Sequence, residues 1–248
     1  MLGFKFAFAR APSYDPGRQM LHSIADGLWV AEQPLRYFGV ALTTRMTIIR
    51  LADGTLIVHS PIRLTDELRS AAASAGRVRF IVAPNRFHHL FISDWQKANP
   101  EAQTFCAPGL DKKRTDLKFT GILGDDPPTA WADEIDQAFM RAFPPLNEIV
   151  FFHRKTRTLI FTDLLFNISR HDSAYARFLL GLDGAFHGPA MPRSFRLLLR
   201  RKRVECATFL QRLLSWDFDR TILAHGEIID NGAKPVIERA WRFAQPAM

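Results

Sequence analysis

"VRFIVAPNRFHHLFISDW", Val78 to Trp95, is the stretch on which the reading of this chain turns. Its first half is an apolar, β-branched run that stops at Pro84, the pattern of a buried strand. Its last part carries Leu90, Ile92 and Trp95 at helical spacing. Between the two stand His88 and His89, where a strand hands over to a helix. Strand ends are where layered α/β proteins gather functional side chains, because loops converge there on a rigid sheet.

The same arrangement recurs twice. His225 ends the apolar run "TILA", and Asp163 ends "TLIFT". Three imidazoles and one carboxylate at three strand ends form a candidate metal set of His88, His89, Asp163 and His225. Such donors suit zinc, with iron or manganese as lesser alternatives. If all four bind, a tetrahedral ion is saturated and structural. If His88 turns away, a water can complete the site and be activated for hydrolysis. Asp163 and His88 are accordingly the candidate catalytic residues. A site too degenerate to hold any ion is the competing reading, with Asp163 serving only as a helix N-cap.

Around this stretch the chain alternates strands and helices. "GLWVAEQPL" reads as a short strand stopped by its proline, and "TTRMTIIRLADGTLIVHSPI" as two strands about an Ala-Asp-Gly turn. "TDELRSAAASAG" is a helix with Thr65 as N-cap and Gly76 as C-cap. "QTFCAP" is a strand and "AFMRAF" a further strand candidate, while "EIVFFHRKTRTLIFTDLLF" is a hairpin about the turn "RKTR". Beyond Asp163 the pattern is helical over a long span, with Phe195, Leu198, Leu199, Cys206, Phe209, Leu210 and Leu213 on one stripe. "DRTILAHG" is a last strand and "KPVIERAWRF" a closing helix. Strands with helices inserted between them imply a layered α/β protein.

The totals agree with a globular chain. Its 248 residues are 47% hydrophobic and 23% charged, which excludes pure disorder. Residues 1–22 read as an N-terminal leader, and 23–248 as one domain. Lys5 interrupts the only apolar patch of that leader, leaving it too short for a secretion signal, and the two cysteines suggest no disulfide framework; the cytoplasm is the expected location. The net charge of +8 is concentrated in "RSFRLLLRRKR", Arg193 to Arg203. A nucleic-acid backbone or an anionic membrane are the partners that this chemistry admits. The plainer reading is a surface helix packed by its stripe. A small-molecule substrate is the partner expected of the histidine cluster.

The order strand, His-His, helix, then "FTDLLF", then "LAHG" resembles the metallo-β-lactamase-like superfamily. Members carry a His-x-His-x-Asp-His motif after a strand, an intermediate histidine, a Gly-Asp after a hairpin, and a final histidine. The resemblance implies an αββα sandwich, two mixed sheets flanked by helices, with a helical insertion near 165–215. His88 stands in place of the motif's Asp and His89 in place of its last His; Thr162-Asp163 matches Gly-Asp, and His225 the final histidine. The motif's first two histidines fall on Pro84 and Arg86, and the intermediate one near Pro144. The family's first metal site is thereby lost and its second largely kept. The resemblance thus implies a divergent metal-dependent hydrolase with one ion, or a catalytically silent descendant of the fold that acts as a binding or scaffold protein. Asn85, Arg86 and His59 are the candidate substrate-binding residues, and Glu148 a carboxylate that either reaches the site or serves structure.

Overall fold

A computed structural model describes residues 20–37 and 39–244. Residues 1–19 of the expected leader lie outside the described residues, and its last residue opens β1 (His22–Ala25). Two sheets stack face to face. The first has seven strands in sequential order, β1, β2 (Leu28–Tyr37), β3 (Val40–Arg50), β4 (Thr55–His59), β5 (Arg77–Ala83), β6 (Gln103–Cys106) and β7 (Gly121–Ile122). Its pairings are antiparallel from β1 to β4 and parallel from β4 to β7. The second sheet runs in the order β11 (Arg220–Ile222), β10 (Thr158–Ile160), β9 (Ile149–His153), β8 (Ile135–Phe139). It too is mixed, since only β10 and β11 are parallel.

Side-chain alternation builds four layers from these strands. In β9, Ile149 and Phe151 point between the sheets, with Ile57, Phe80 and Trp131. Val150 and Phe152 point the other way, onto helices α6 (Arg203–Ser215) and α7 (Ala233–Ala240) through Phe209, Leu210 and Trp241. In the first sheet Met46, Ile48 and Val58 face α1 (Asp66–Ala75) and α2 (Ile92–Ala98), where Leu68 and Trp95 complete a third core. With both faces covered, Leu56–Val58, Phe80–Ala83 and Ile149–Phe152 are apolar without alternation. The expected αββα sandwich is the architecture found.

Local chemistry sets the element ends. Thr65 accepts from Leu68 N–H at the start of α1. Gly76 closes it at φ +154°, and a Cβ there would lie 2.5 Å from the Gly54 carbonyl oxygen. The hairpin turn over Arg154–Arg157 lies as read.

Three sequence expectations change. Pro34 does not stop its strand; β2 runs on to Tyr37. β1 pairs with β2 only as far as Val30, so the missing N–H of Pro34 faces an edge with no partner to lose. The strand read at "AFMRAF" lies earlier, at Ile135–Phe139. The insertion is not helical directly after Asp163. It first makes the isolated bridges Phe166–Ala190, Asn167–Gly226 and Ile168–Phe186, and only then α4 (Ala174–Leu182), α5 (Arg193–Leu198), a 3-10 turn (Leu199–Arg201) and α6. α3 (Leu110–Lys113) is a single turn. The 3-10 turn at Leu199–Arg201 rotates the stripe, so Leu199 is buried while Leu198 is 65% exposed.

Candidate metal centre

The parallel pairing of β4 with β5 places His59 beside Val82 and brings both strand ends to one edge. The parallel pairing of β10 with β11 does the same for the loops carrying Asp163 and His225. The loop after β5 is tied to the second sheet, because Ile149 N–H donates to the Pro84 carbonyl and Arg86 N–H to that of Leu146. The four strand ends therefore meet across the sandwich.

Asn85 organises the meeting and is fully buried. Its Oδ1 accepts from the backbone N–H of Phe87 and of His88, both at 2.8 Å. This Asx turn aims the His88 ring inward. Its Nδ2 donates to Asp163 Oδ2 at 2.7 Å and to Thr162 Oγ1 at 2.9 Å, with Glu148 Oε2 at 3.3 Å. Glu148, also fully buried, sits just before β9 and faces the Asp163 loop. Its carboxylate accepts from the N–H of Thr162 (2.7 Å), Asp163 (2.7 Å) and Leu164 (3.1 Å). Glu148 thus serves structure, by satisfying three buried donors of a loop that has no ladder partner.

Within this frame His88 Nε2 lies 3.3 Å and His225 Nε2 3.0 Å from the same oxygen, Asp163 Oδ1. The donor atoms of the three side chains all fall within 4.8 Å of one another. The far nitrogen of each ring is also held. His225 Nδ1 meets the Thr43 carbonyl at 2.7 Å and His88 Nδ1 meets Ser60 Oγ at 2.6 Å. A carbonyl only accepts, so His225 Nδ1 donates to it, which fixes the ring with Nε2 towards the carboxylate. Ser60 Oγ lies 3.2 Å from the Arg45 carbonyl; donating there, it accepts from His88 and orients that ring likewise. Two lone pairs and a carboxylate repel one another unless a cation or protons lie among them. The donor set, two imidazole nitrogens and one carboxylate with each outer atom hydrogen-bonded, fits a divalent metal ion.

The electrostatics follow from this packing. Burial works against the ionised Asp163, but His88 and His225 outweigh it and hold the carboxyl far below the usual range. Burial likewise disfavours a charged His88, yet Asp163, and Glu148 behind it, raise its pKa. Burial and the nearby Asp163 charge push Glu148 up to about 7. Burial and His88 lower His59 to about 3.

The expected site residues divide. His88, Asp163 and His225 come together. His89 is the correction: its ring turns to the other side of the loop, where Nδ1 faces Arg114 Nη1 at 2.8 Å. Neighbouring side chains diverge, and the Asx turn selects His88 for the interior. Burial, Lys113 and Arg114 lower His89 to about 4. Asn85 has no surface for a substrate and is spent on the frame. His59 is 1% exposed, edge-on to Phe151 at 4.9 Å, with Nε2 unpartnered, so it too is buried away from any substrate. Arg86 is half-buried; Nη1 donates to the Pro144 carbonyl at 3.1 Å, and the Lys113 ammonium donates to its own carbonyl at 2.7 Å. Arg86 and Pro144, where the resemblance puts two absent histidines, are thus hydrogen-bonded to each other. Cys106 is a buried thiol, raised to about 12 by burial.

Two further residues escaped the sequence reading. Ser60 adopts φ +56°, which turns its hydroxyl onto His88. No residue type at that position announces a left-handed backbone. Arg45, 5% exposed, reaches from β3 to the carbonyl oxygens of Leu223 and Gly226 and pairs with Glu32, so it clamps the His225 loop. In sequence it is one cation in a strand.

Solved structures share this architecture. A metallo-β-lactamase from Pontibacter korlensis superposes with a TM-score of 0.61 at 11% identity, covering 93% of this chain and 100% of its own. The DIM-1 metallo-β-lactamase gives 0.63 at 10% identity, covering 91% and 97%. The metal-soaked Flv1 flavodiiron core from Synechocystis gives 0.60 at 11%, covering 91% and 60%. At these identities the likeness is one of fold. No curated protein matches the chain. A family model described as a domain of unknown function, DUF4336, matches residues 25–180, more than half of the sequence, and the chain belongs to that family.

Proposed function

We propose that His88, Asp163 and His225 bind one divalent metal ion, zinc in the first instance, and that the protein is a metal-dependent hydrolase acting on a small molecule. The observation that carries this reading is the convergence of two imidazole Nε2 atoms on one carboxylate oxygen, each ring fixed from behind. Three protein ligands leave a position for water, and an ion so held lowers the pKa of that water enough to supply hydroxide near neutral pH. The chain's own part is positional. Asn85 and Glu148 hold the Asp163 loop, Ser60 and the Thr43 carbonyl orient the rings, and Arg45 anchors the loop that carries His225. Arg86 commits one N–H to Pro144 and keeps others for an anionic group of the substrate.

A second reading, a silent descendant of the fold that binds without turnover, is favoured by one observation. The side chains of His88, Asp163 and His225 are only 9%, 11% and 5% exposed, which suits a closed structural site.

Metal analysis of protein purified without chelators tests the binding. About one equivalent of metal is expected, with none in His225→Ala or Asp163→Ala. Less than ~0.1 equivalent, together with no rise in melting temperature on adding zinc, manganese or ferrous iron, would refute it. Turnover of an ester, lactone, thioester or phosphodiester by the loaded protein, lost in Asp163→Ala, separates the hydrolase from the silent descendant.

A further inference from the structure

We infer that the outer face of the helical insertion docks onto the surface of an anionic phospholipid bilayer. This goes beyond the metal centre and does not depend on it.

Among the described residues, six of the ten strongly exposed large apolar side chains fall between residues 175 and 204. Tyr175, Phe178 and Leu182 stand at i, i+3 and i+7 on one face of α4, and Leu197, Leu198 and Val204 follow on α5 and at the start of α6; all are 57% to 78% exposed. The two helices adjoin. Arg193 donates to the Leu182 carbonyl at 3.0 Å, and Ser194 is bonded twice to Asp183. A monomer gains nothing by presenting apolar groups at this density to water.

Charge identifies the occupant. Arg193 to Arg203 contains six cations and no acid. Arg200, Arg201, Lys202 and Arg203 are all exposed and lie between Leu198 and Val204. Apolar side chains interleaved with Arg and Lys match an interface that has hydrocarbon below and anionic headgroups above. A nucleic-acid backbone would engage the cations but leave the apolar groups in water. A second copy of this face would set its six cations against six more. Residues 1–19 carry Lys5, Arg10 and Arg18 against Asp15, a net positive charge that argues against them as the occupant. No helix among the described residues is long and apolar enough to cross a membrane, so the attachment is to its surface.

Co-sedimentation of the full-length protein with phospholipid vesicles tests this. Binding is expected to phosphatidylcholine vesicles containing about a third phosphatidylglycerol, not to phosphatidylcholine alone, and is expected to weaken with salt. Arg200→Glu with Arg201→Glu is expected to lower the partition coefficient roughly tenfold or more. Phe178→Asp with Leu197→Asp is expected to lower it by a similar factor, about tenfold. These side chains are exposed, so unchanged melting curves identify folded variants. The inference is overturned if folded wild-type protein ignores anionic vesicles, binds neutral ones equally, or retains its binding in both double variants. It is also overturned if Phe4→Asp with Phe6→Asp abolishes binding while the patch variants retain it. Retention of a duplex oligonucleotide, or a dimer that Leu197→Asp dissolves, in place of vesicle binding would overturn it as well.

Discussion

Asn85→Ala tests whether the centre is held by its frame or by a ligand. The substitution removes one amide. Its oxygen accepts two N–H groups at 2.8 Å, and its nitrogen donates at 2.7 Å to Asp163 and at 2.9 Å to Thr162. An NH2 has two hydrogens, so Glu148 at 3.3 Å is the weaker contact and is left out of the sum. Loss of the bond to the Asp163 carboxylate removes about 1.5–3 kcal/mol. The orphaned His88 N–H, in a largely buried loop, adds about 1–2 kcal/mol. The Phe87 N–H lies beside an exposed side chain and can take water, and the Thr162 hydroxyl can reorient; together they add under ~1 kcal/mol. The total is about 2.5–6 kcal/mol, a large share of the ~5–15 kcal/mol typical of a folded domain. The assay is urea unfolding of metal-free protein followed by far-ultraviolet circular dichroism, with the midpoint compared at equal slope. A thermal melt is expected to fall by roughly 10 °C or more. If metal-free Asn85→Ala loses less than about 1 kcal/mol, the reasoning that Asn85 holds the frame is wrong.

Two further predictions concern a buried histidine far from the centre and the loop that carries His225. His153 is fully buried at the far end of the hairpin, with Nε2 unpartnered, and burial, aided by Lys155, lowers its pKa to about 4. Above pH 6.5 it is neutral folded and unfolded. As pH falls from 6.5 towards 4 the unfolded chain takes the proton first, so stability drops by up to about 3 kcal/mol. In His153→Phe that part of the acid slope is expected to vanish; an unchanged slope in urea midpoints across this window would refute the assignment. Gly226 has φ +90°, and a Cβ on it would lie 2.0 Å from the Asn167 carbonyl oxygen, a backbone contact that cannot yield. Gly226→Ala is expected to lose at least about 4 kcal/mol or fail to fold, whereas Gly232→Ala, with open space around it, costs about 1 kcal/mol. Equal melting temperatures for the two variants would refute the close backbone contact between Gly226 and Asn167.

Much of the architecture was legible because it is written in local patterns. The apolar runs of β5 and β9, the cap at Thr65 and the turn at Arg154–Arg157 each depend on a few neighbouring residues, and each lies where the pattern put it. Pro34 shows the limit. Its tolerance depends on how far β1 extends beside it, which is not a property of its own neighbours. Leu198 shows it again, since the turn at Leu199–Arg201 breaks a stripe that a continuous helix would have buried.

The sequence by itself determined that imidazoles and a carboxylate stand at the ends of buried strands, because strand ends follow from apolar runs and their stops. It also determined that Pro84 and Arg86 stand four and two residues before His88, where neither can serve as a metal ligand. Only the tertiary structure decided which histidine of the pair faces Asp163. That choice rests on Asn85 bonding both to the His88 backbone and to a loop 78 residues away, and on a hydroxyl from Ser60 at the end of another strand. Both side chains are largely buried, residue 88 against Asp163 and residue 89 against Arg114, and the contacts that direct residue 88 are contacts across the sandwich.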